Sequence, residues 1–442
     1  MNILFLTSAA PEKAAFSTTE KRPPLGLGFL MAVLRKDGHK VFFSDEYLQP
    51  SKILDSDFLK AHAIDYVGIH SNTICYRSTL QMLKTLQSKR EKDLWTGKIM
   101  VGGPHTSIGY SEIPEFVDHI VIGEGEISVP HILKAEITER IIIGEKIEDL
   151  DSLPIPAWEQ FIYRPYQWTH DWLDSYPVYT MNTSRGCPFG CTFCSVKAIW
   201  GKTYRYMSAA RIVEEIDFLK KYYGARAIYF REDHFTLSKE RTLEFCELLL
   251  KKNIPIEWMC ETRVDQLDDY AYQKLMKDAG CKAFYIGVES GSPRMLEFFR
   301  KGETIEQFIG VFEIARKLGI KTYASFVVAG PTETQSDRDM TEHLIEKIQP
   351  DFLSKNIYVG LPGSELYDYV KRHKLYEHED DLHILYPKGY LENVRRYYGD
   401  NGYFKTYRLN NQSVWNEDIL KGVRCELKEL LTRWGKSLIS RM

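Results

Sequence analysis

Short apolar runs recur along the first third of the chain, separated by segments with helical spacing. Asn2–Thr7, Val41–Ser44, Tyr66–His70, Lys98–Val101 and His119–Ile122 read as strands, and Leu25–Lys36 as a helix stopped by Gly38. Strand alternating with helix predicts a doubly wound parallel sheet over residues 1–145, in an α/β fold. Residues 146–177 break the rhythm. Leu153-Pro-Ile-Pro-Ala-Trp158, then Tyr163, Tyr166, Trp168, Trp172 and Tyr176, suggest a connector packed between two halves. From 178 to 375 the alternation returns, with strands at Tyr179, Ala227–Arg231, Ile256–Glu261, Phe284–Val288, Tyr323–Val328 and Phe352–Val359. Polar residues gather at the carboxyl ends of these strands, where barrel folds place their chemistry. Residues 376–442 form a small helical or irregular extension, rich in tyrosine. It ends in a predicted amphipathic helix carrying Leu420, Val423, Leu427, Leu430, Leu431, Trp434 and Leu438 on one stripe.

Composition narrows the options. A chain of 442 residues is long enough for two or three domains with full cores. Lys and Arg (58) nearly balance Asp and Glu (61), so no groove reads nucleic acid by bulk charge, and no nucleic-acid partner is expected. Met1 to Ser8 lacks a basic leader and reads as a buried strand, not a signal peptide. No stretch approaches the length needed to span a bilayer, so a membrane partner is not expected. Eight cysteines without a secretion signal point to a reducing cytoplasm.

Three of those cysteines lie within eight residues, Cys187-Pro-Phe-Gly-Cys191-Thr-Phe-Cys194. Three thiolates on one loop suit three corners of a [4Fe–4S] cube, which normally takes four cysteines, and leave one iron open to a ligand. Half of a zinc site is the alternative, but zinc needs a fourth ligand. Cys75, Cys246, Cys260, Cys281 and Cys425 are scattered singly and form no second Cys-x-x-Cys pair.

The Cys-x3-Cys-x2-Cys spacing, with Phe193 before the last cysteine, resembles the signature of radical S-adenosylmethionine (SAM) enzymes. The resemblance implies a partial (β/α)6 barrel in which Cys187, Cys191 and Cys194 hold the cluster and the open iron chelates SAM. It places Phe193 near the adenine. In Glu232-Asp233-His234-Phe235-Thr236, Glu232 or Asp233 would receive the SAM amino group, with capping of the next helix as the alternative for Asp233. Arg263 would pair with the SAM carboxylate or else tie barrel loops together. Glu289 and Ser290, in Phe284-Tyr-Ile-Gly-Val-Glu-Ser-Gly291, would lie near the ribose and methionine parts. The turns after Val328 and Val359 also match family stretches.

The first domain resembles the cobalamin-binding domain that precedes many radical SAM cores. The matches are Pro23-Pro-Leu-Gly-Leu27, Arg35-Lys-Asp-Gly-His39, Val101-Gly-Gly-Pro-His105 and Ile122-Gly-Glu-Gly-Glu126, and Arg205 and Ser208 fit the same subgroup. Gly102, Gly103, Gly123, Glu124 and Gly125 follow strand ends and are candidate cobalamin contacts. The Asp-x-His-x-x-Gly loop that supplies a cobalt ligand in other cobalamin proteins is absent.

The resemblance implies a radical enzyme fed by an external one-electron reductant such as flavodoxin or ferredoxin. The leading expectation is a cobalamin-dependent methyltransferase acting on carbon or phosphorus of a small molecule, such as a sugar-like natural-product intermediate. A cobalamin-independent dehydratase, deoxygenase or epimerase is the alternative, with Cys260 as the hydrogen donor to test. An iron–sulfur or cobalamin-binding regulator is the non-catalytic alternative. The connector and the tail are expected to select the substrate.

Overall fold

The computed structural model describes residues 1–9, 21–378, 385–387 and 407–408. Its first sheet contains β1 (Asn2–Thr7), β2 (Lys40–Asp45), β3 (Tyr66–His70), β4 (Lys98–Gly102), β5 (His119–Ile122) and β6 (Ile141–Ile143). All pair in parallel in the order β2-β1-β3-β4-β5-β6. The strands expected from the sequence are present. β6 was not anticipated, because three isoleucines after a charged stretch are too short a run to stand out.

Alternation along β1 explains why the sheet needs cover on both sides. Ile3 and Phe5 join a core that includes Leu27, Met31 and Leu34 of helix Leu25–Lys36. Leu4 and Leu6 join a second core with Leu83 and Leu86 of helix Tyr76–Glu91. The first core continues through Trp158 and Phe161 of the connector into the second domain. Gly28 is needed at this joint: a Cβ there would come within 2.9 Å of the Phe161 ring. Each large side chain buried in such a core contributes about 1.5–3 kcal/mol.

In the second domain β7 (Val178–Met181) is followed by a small antiparallel pair, β8 (Ser184–Arg185) and β9 (Arg205–Tyr206), which brackets the cysteine loop. Then come β10 (Ala227–Phe230), β11 (Glu257–Thr262), β12 (Cys281–Glu289), β13 (Lys321–Val328) and β14 (Phe352–Ile357). These strands run parallel in the order β7-β10-β11-β12-β13-β14, as a six-stranded partial barrel requires. The connector does more than fill a gap. Trp172 packs 4.5 Å from Tyr323, which stacks on Tyr285 at 4.6 Å, so aromatic rings plug the barrel interior.

Tyr407–Arg408 pairs antiparallel with β14. The amphipathic helix expected around Leu420 to Leu438 lies outside the described residues. No described helix is long and apolar enough to cross a membrane.

Candidate functional site

The carboxyl ends of the two sheets open onto one cleft of about 800 Å³. Its walls come from both domains. The first sheet contributes Gly102, Gly103, Gly123, Glu124 and Gly125, and the barrel contributes Tyr229, Arg231, Asp233, Glu261 and Tyr285.

The cysteine loop is fastened to the barrel by its backbone. Thr192 donates its N–H to Phe299 O at 3.0 Å, and Leu366 N–H donates to Thr192 O at 2.8 Å. Cys187, Cys191 and Cys194 are free thiols, none fully buried. Burial raises all three above the ordinary thiol range, Cys194 to about 12, while Lys301 and Arg263 pull Cys191 back. Bound metal removes that penalty by taking the thiolate directly. Among the described residues no three His, Cys, Asp or Glu side chains converge on a single ion. A cube asks for something else, one thiolate per iron at separate corners, and this soft S3 set on one loop fits it.

The two sequential carboxylates have different fates. Glu232 is buried and accepts hydrogen bonds from Thr183 N–H and from its hydroxyl, with Arg241 at 3.4 Å. Asp233 faces the cleft and stays accessible, and no hydrogen bond or ion pair ties it to a described residue. Burial of its surroundings, together with the charge on Glu232, raises its carboxyl to about 6. The alternative of a helix cap for Asp233 does not hold, because Ser238 caps helix Lys239–Lys251.

Arg263 ties barrel loops together. One amino group donates to Lys301 O at 2.5 Å, the other lies 3.8 Å from Cys191 Sγ, and Nε faces Asp265 at 3.3 Å. Its guanidinium also stacks 3.8 Å over Phe189 of the cysteine loop. Glu289 ends β12 in a left-handed conformation, φ +66, with its carboxylate 3.3 Å from Lys301 Nζ. Burial raises Glu289 and Lys301 opposes the rise. Lys301, missed in the sequence, is itself buried; burial works against its charge, but Glu289 and Glu303 outweigh it and keep it protonated. The Ser290 hydroxyl accepts from Ser292 N–H at 3.1 Å and lies 3.4 Å from Thr341, which builds the turn. Phe193 packs edge-on against Phe299 at 5.3 Å.

Cys260 requires a correction. It is fully buried in the largest core and does not line the cleft, so its thiol cannot reach a substrate there. Strand parity is the reason. On β11, Trp258 and Cys260 join the core shared with the surrounding helices, Met259 joins the barrel-interior cluster, and Glu261 lines the cleft. The residues of cleft parity, Tyr229, Glu261 and Tyr285, were missed; they lie on three strands, so period-2 counting gives the parity within each strand but not the register that brings them together. Tyr229 donates its hydroxyl proton to Glu261 at 2.5 Å.

The glycine turns line the cleft as expected. Gly103 has φ +101, and a Cβ there would meet Ser71 O at 2.6 Å. Glu124 reaches the cleft wall but spends its carboxylate on the barrel. Arg185 lies 2.5 Å away, Arg205 pairs through both amino groups, and Ile147 N–H donates at 3.2 Å. Glu126 takes the other arm of Arg185 at 2.5 Å. Burial alone would raise the Glu124 carboxyl, but the two arginines outweigh it and hold it low. These four side chains are nearly sealed from solvent and lock the first sheet to the β8–β9 pair. Ser208 caps helix Ala209–Tyr223.

The radical SAM superfamily model matches residues 181–345, and the B12 binding domain model matches residues 15–133. A Pyrococcus horikoshii protein described as an uncharacterized methyltransferase is 30% identical over 371 residues, covering 79% of this chain and 78% of the relative. The anaerobic magnesium-protoporphyrin IX monomethyl ester cyclase of Rubrivivax gelatinosus is 27% identical over 380 residues, 78% of this chain and 66% of the cyclase. The fold is that of OxsB, a cobalamin-dependent SAM radical enzyme solved with aqua-cobalamin and SAM bound (TM-score 0.65, 22% identity). The match covers 84% of this chain but 55% of OxsB. It is also that of the radical SAM methyltransferase TsrM of Kitasatospora setae (TM-score 0.66, 14% identity, covering 86% and 76%). With a cluster loop that fits and both family segments in place, the chain belongs to the radical SAM superfamily, in the group with a B12-binding domain, whose cofactors are a [4Fe–4S] cluster, SAM and cobalamin.

Proposed function

We propose that this protein is a cobalamin-dependent radical SAM methyltransferase acting on an unactivated carbon, or a phosphorus, of a small molecule. One observation carries the reading: the glycine turns of the B12-binding sheet and the carboxyl ends of the barrel strands line the same cleft. When bound, the cluster and SAM supply a radical that removes a substrate hydrogen, and cobalamin supplies the methyl group. The chain's own residues position and shield. Cys187, Cys191 and Cys194 hold three irons. Asp233, accessible in the cleft and without a hydrogen-bond or ion-pair partner among the described residues, receives the SAM ammonium by a charge-assisted bond. Arg263, anchored on the Lys301 carbonyl, keeps the cysteine loop against the barrel. The Tyr229–Glu261 pair faces the substrate side, and the Glu124 latch maintains the spacing between the two domains. The reading includes an external one-electron reductant, flavodoxin or ferredoxin, and a cytoplasmic setting.

The test is anaerobic purification from cells supplied with cobalamin, followed by quantification of cobalamin per chain and reaction with SAM carrying a deuterated methyl group. Near-stoichiometric cobalamin and deuterated methyl in the product support the reading. An intact cluster that binds SAM without retained cobalamin sinks it. Radical cyclisation is the second reading, favoured by the relative named as a cyclase. It would release 5′-deoxyadenosine without S-adenosylhomocysteine.

A further inference from the structure

In a doubly wound sheet the ligand crevice lies outside the carboxyl ends, where the strand order reverses. Here the reversal falls between β1 and β3, since β1 lies between β2 and β3. His70 is the last residue of β3 and lines the cleft at this point. Its ring lies against the Gly103 turn, so closely that a Cβ on Gly103 would come within 3.0 Å of the imidazole Cδ2. The main-chain carbonyl of His70 accepts from the Ser8 hydroxyl at 3.2 Å, but no other described side chain bonds the ring nitrogens. Of the described residues lining the cleft, His70 is the one imidazole, and none is a cysteine. Imidazole nitrogen is the commonest protein ligand for a transition metal. The loop motif that would carry a cobalt-binding histidine is missing from the chain. His70 reaches the same crevice from a strand end instead of from a loop.

We propose that His70 is the protein's ligand to cobalt when cobalamin occupies this cleft, donating a ring nitrogen to the metal from the side of the first sheet. The assignment rests on the proposed cobalamin site and names the residue that engages the metal. Histidines that bind metals are normally backed by a carboxylate or carbonyl. Here the ring's backing is its own main-chain carbonyl, while Asp45, at the end of β2, acts on it through charge alone, its carboxylate being taken by Thr7, Leu48 and Tyr166.

The experiment uses the full chain loaded with cobalamin, reduced to the cob(II)alamin state and read by electron paramagnetic resonance. One sample carries natural histidine and another carries 15N-histidine. A nitrogen ligand from His70 splits the cobalt lines into triplets that become doublets on labelling, and His70→Ala loses that label-sensitive splitting. Unsplit lines in a protein that retains cobalamin overturn the assignment and leave the cobalamin reading standing. That is the outcome expected of a bare metal or of the thioether of Met100, which also lines the cleft. A triplet indifferent to the label comes from the cofactor's own base and overturns the assignment equally. A chain that retains no cobalamin overturns both. Because the labelled wild type decides the matter, a variant that fails to fold does not blunt the test.

Discussion

The two walls of the cleft bind by different means. The barrel side concentrates its chemistry in a loop of eight consecutive residues outside the cleft lining, with three thiols fastened by Arg263 and two backbone hydrogen bonds. The wall built on the first sheet offers no such cluster. Its lining is glycine turns, apolar side chains and His70, and its two carboxylates, Glu124 and Glu126, are spent on the neighbouring domain. A compact inorganic cube needs a few ligands at fixed spacing, which a single loop supplies. A large flat cofactor needs area and the absence of side chains, which only several strand ends together supply.

Removing a ligand from the barrel wall is the harshest test of this contrast. Cys191→Ala is expected to abolish SAM cleavage and lower bound iron while leaving cobalamin retention near the wild-type level; parallel loss of both cofactors would show that the two walls are not separable. Next in size is the latch between them. Glu124→Ala strips buried Arg205 of its carboxylate and leaves Arg185 to Glu126 alone, and breaking a buried pair of this kind costs about 3–5 kcal/mol, measurable by denaturant unfolding. Cobalamin retention should fall with it, whereas a Glu124 substitution without effect on stability would make the latch incidental.

Asp233→Asn sharpens the assignment of the two carboxylates. Loss of a charge-assisted hydrogen bond is worth about 1.5–3 kcal/mol, so SAM binding should weaken on the order of tenfold to a hundredfold with iron content unchanged. Equal affinity in calorimetry would return the role to another residue. A smaller effect concerns Glu215, a buried carboxyl raised to about 7 chiefly by burial, with Arg211 opposing. Because its folded value is above its unfolded one, its stabilising contribution is present below about 4.5 and is lost as pH rises through about 7. Glu215→Gln should therefore stabilise the fold above pH 7, on the order of 1 kcal/mol, and lose that advantage near pH 5. Thermal unfolding at the two pH values separates this from a uniform shift. Last, Cys260→Ala should cost about 1 kcal/mol of packing and leave turnover intact, while Tyr229→Phe, on the opposite parity, lowers turnover. The reverse result would place Cys260 in the chemistry after all.

Much of the site was legible in sequence because it is local. The cysteine spacing, the glycine turns after β4 and β5, and the carboxylates after β10 each lie within a few residues of one strand end. What the sequence hid was orientation. Glu232 and Asp233 are adjacent, chemically alike and both at the cleft wall, and only the packed barrel shows that Glu232 is buried and absorbed by Thr183 and Arg241 while Asp233 keeps its carboxylate accessible. Cys260 and Glu261 are likewise adjacent. Here the strand's alternation carried the answer, and attention to the reactive side chain obscured it.

By itself, then, the sequence determined the alternating α/β pattern, the order of the two domains and the cluster loop, since periodicity and spacing are properties of neighbouring residues. The tertiary structure alone decided that both sheets open onto one cleft, that Glu124 faces Arg185 across 61 positions, and that His70 ends its strand at the crevice. Those pairings depend on how two cores pack through Trp158 and Phe161, and contacts between residues so far apart leave no local trace in the chain.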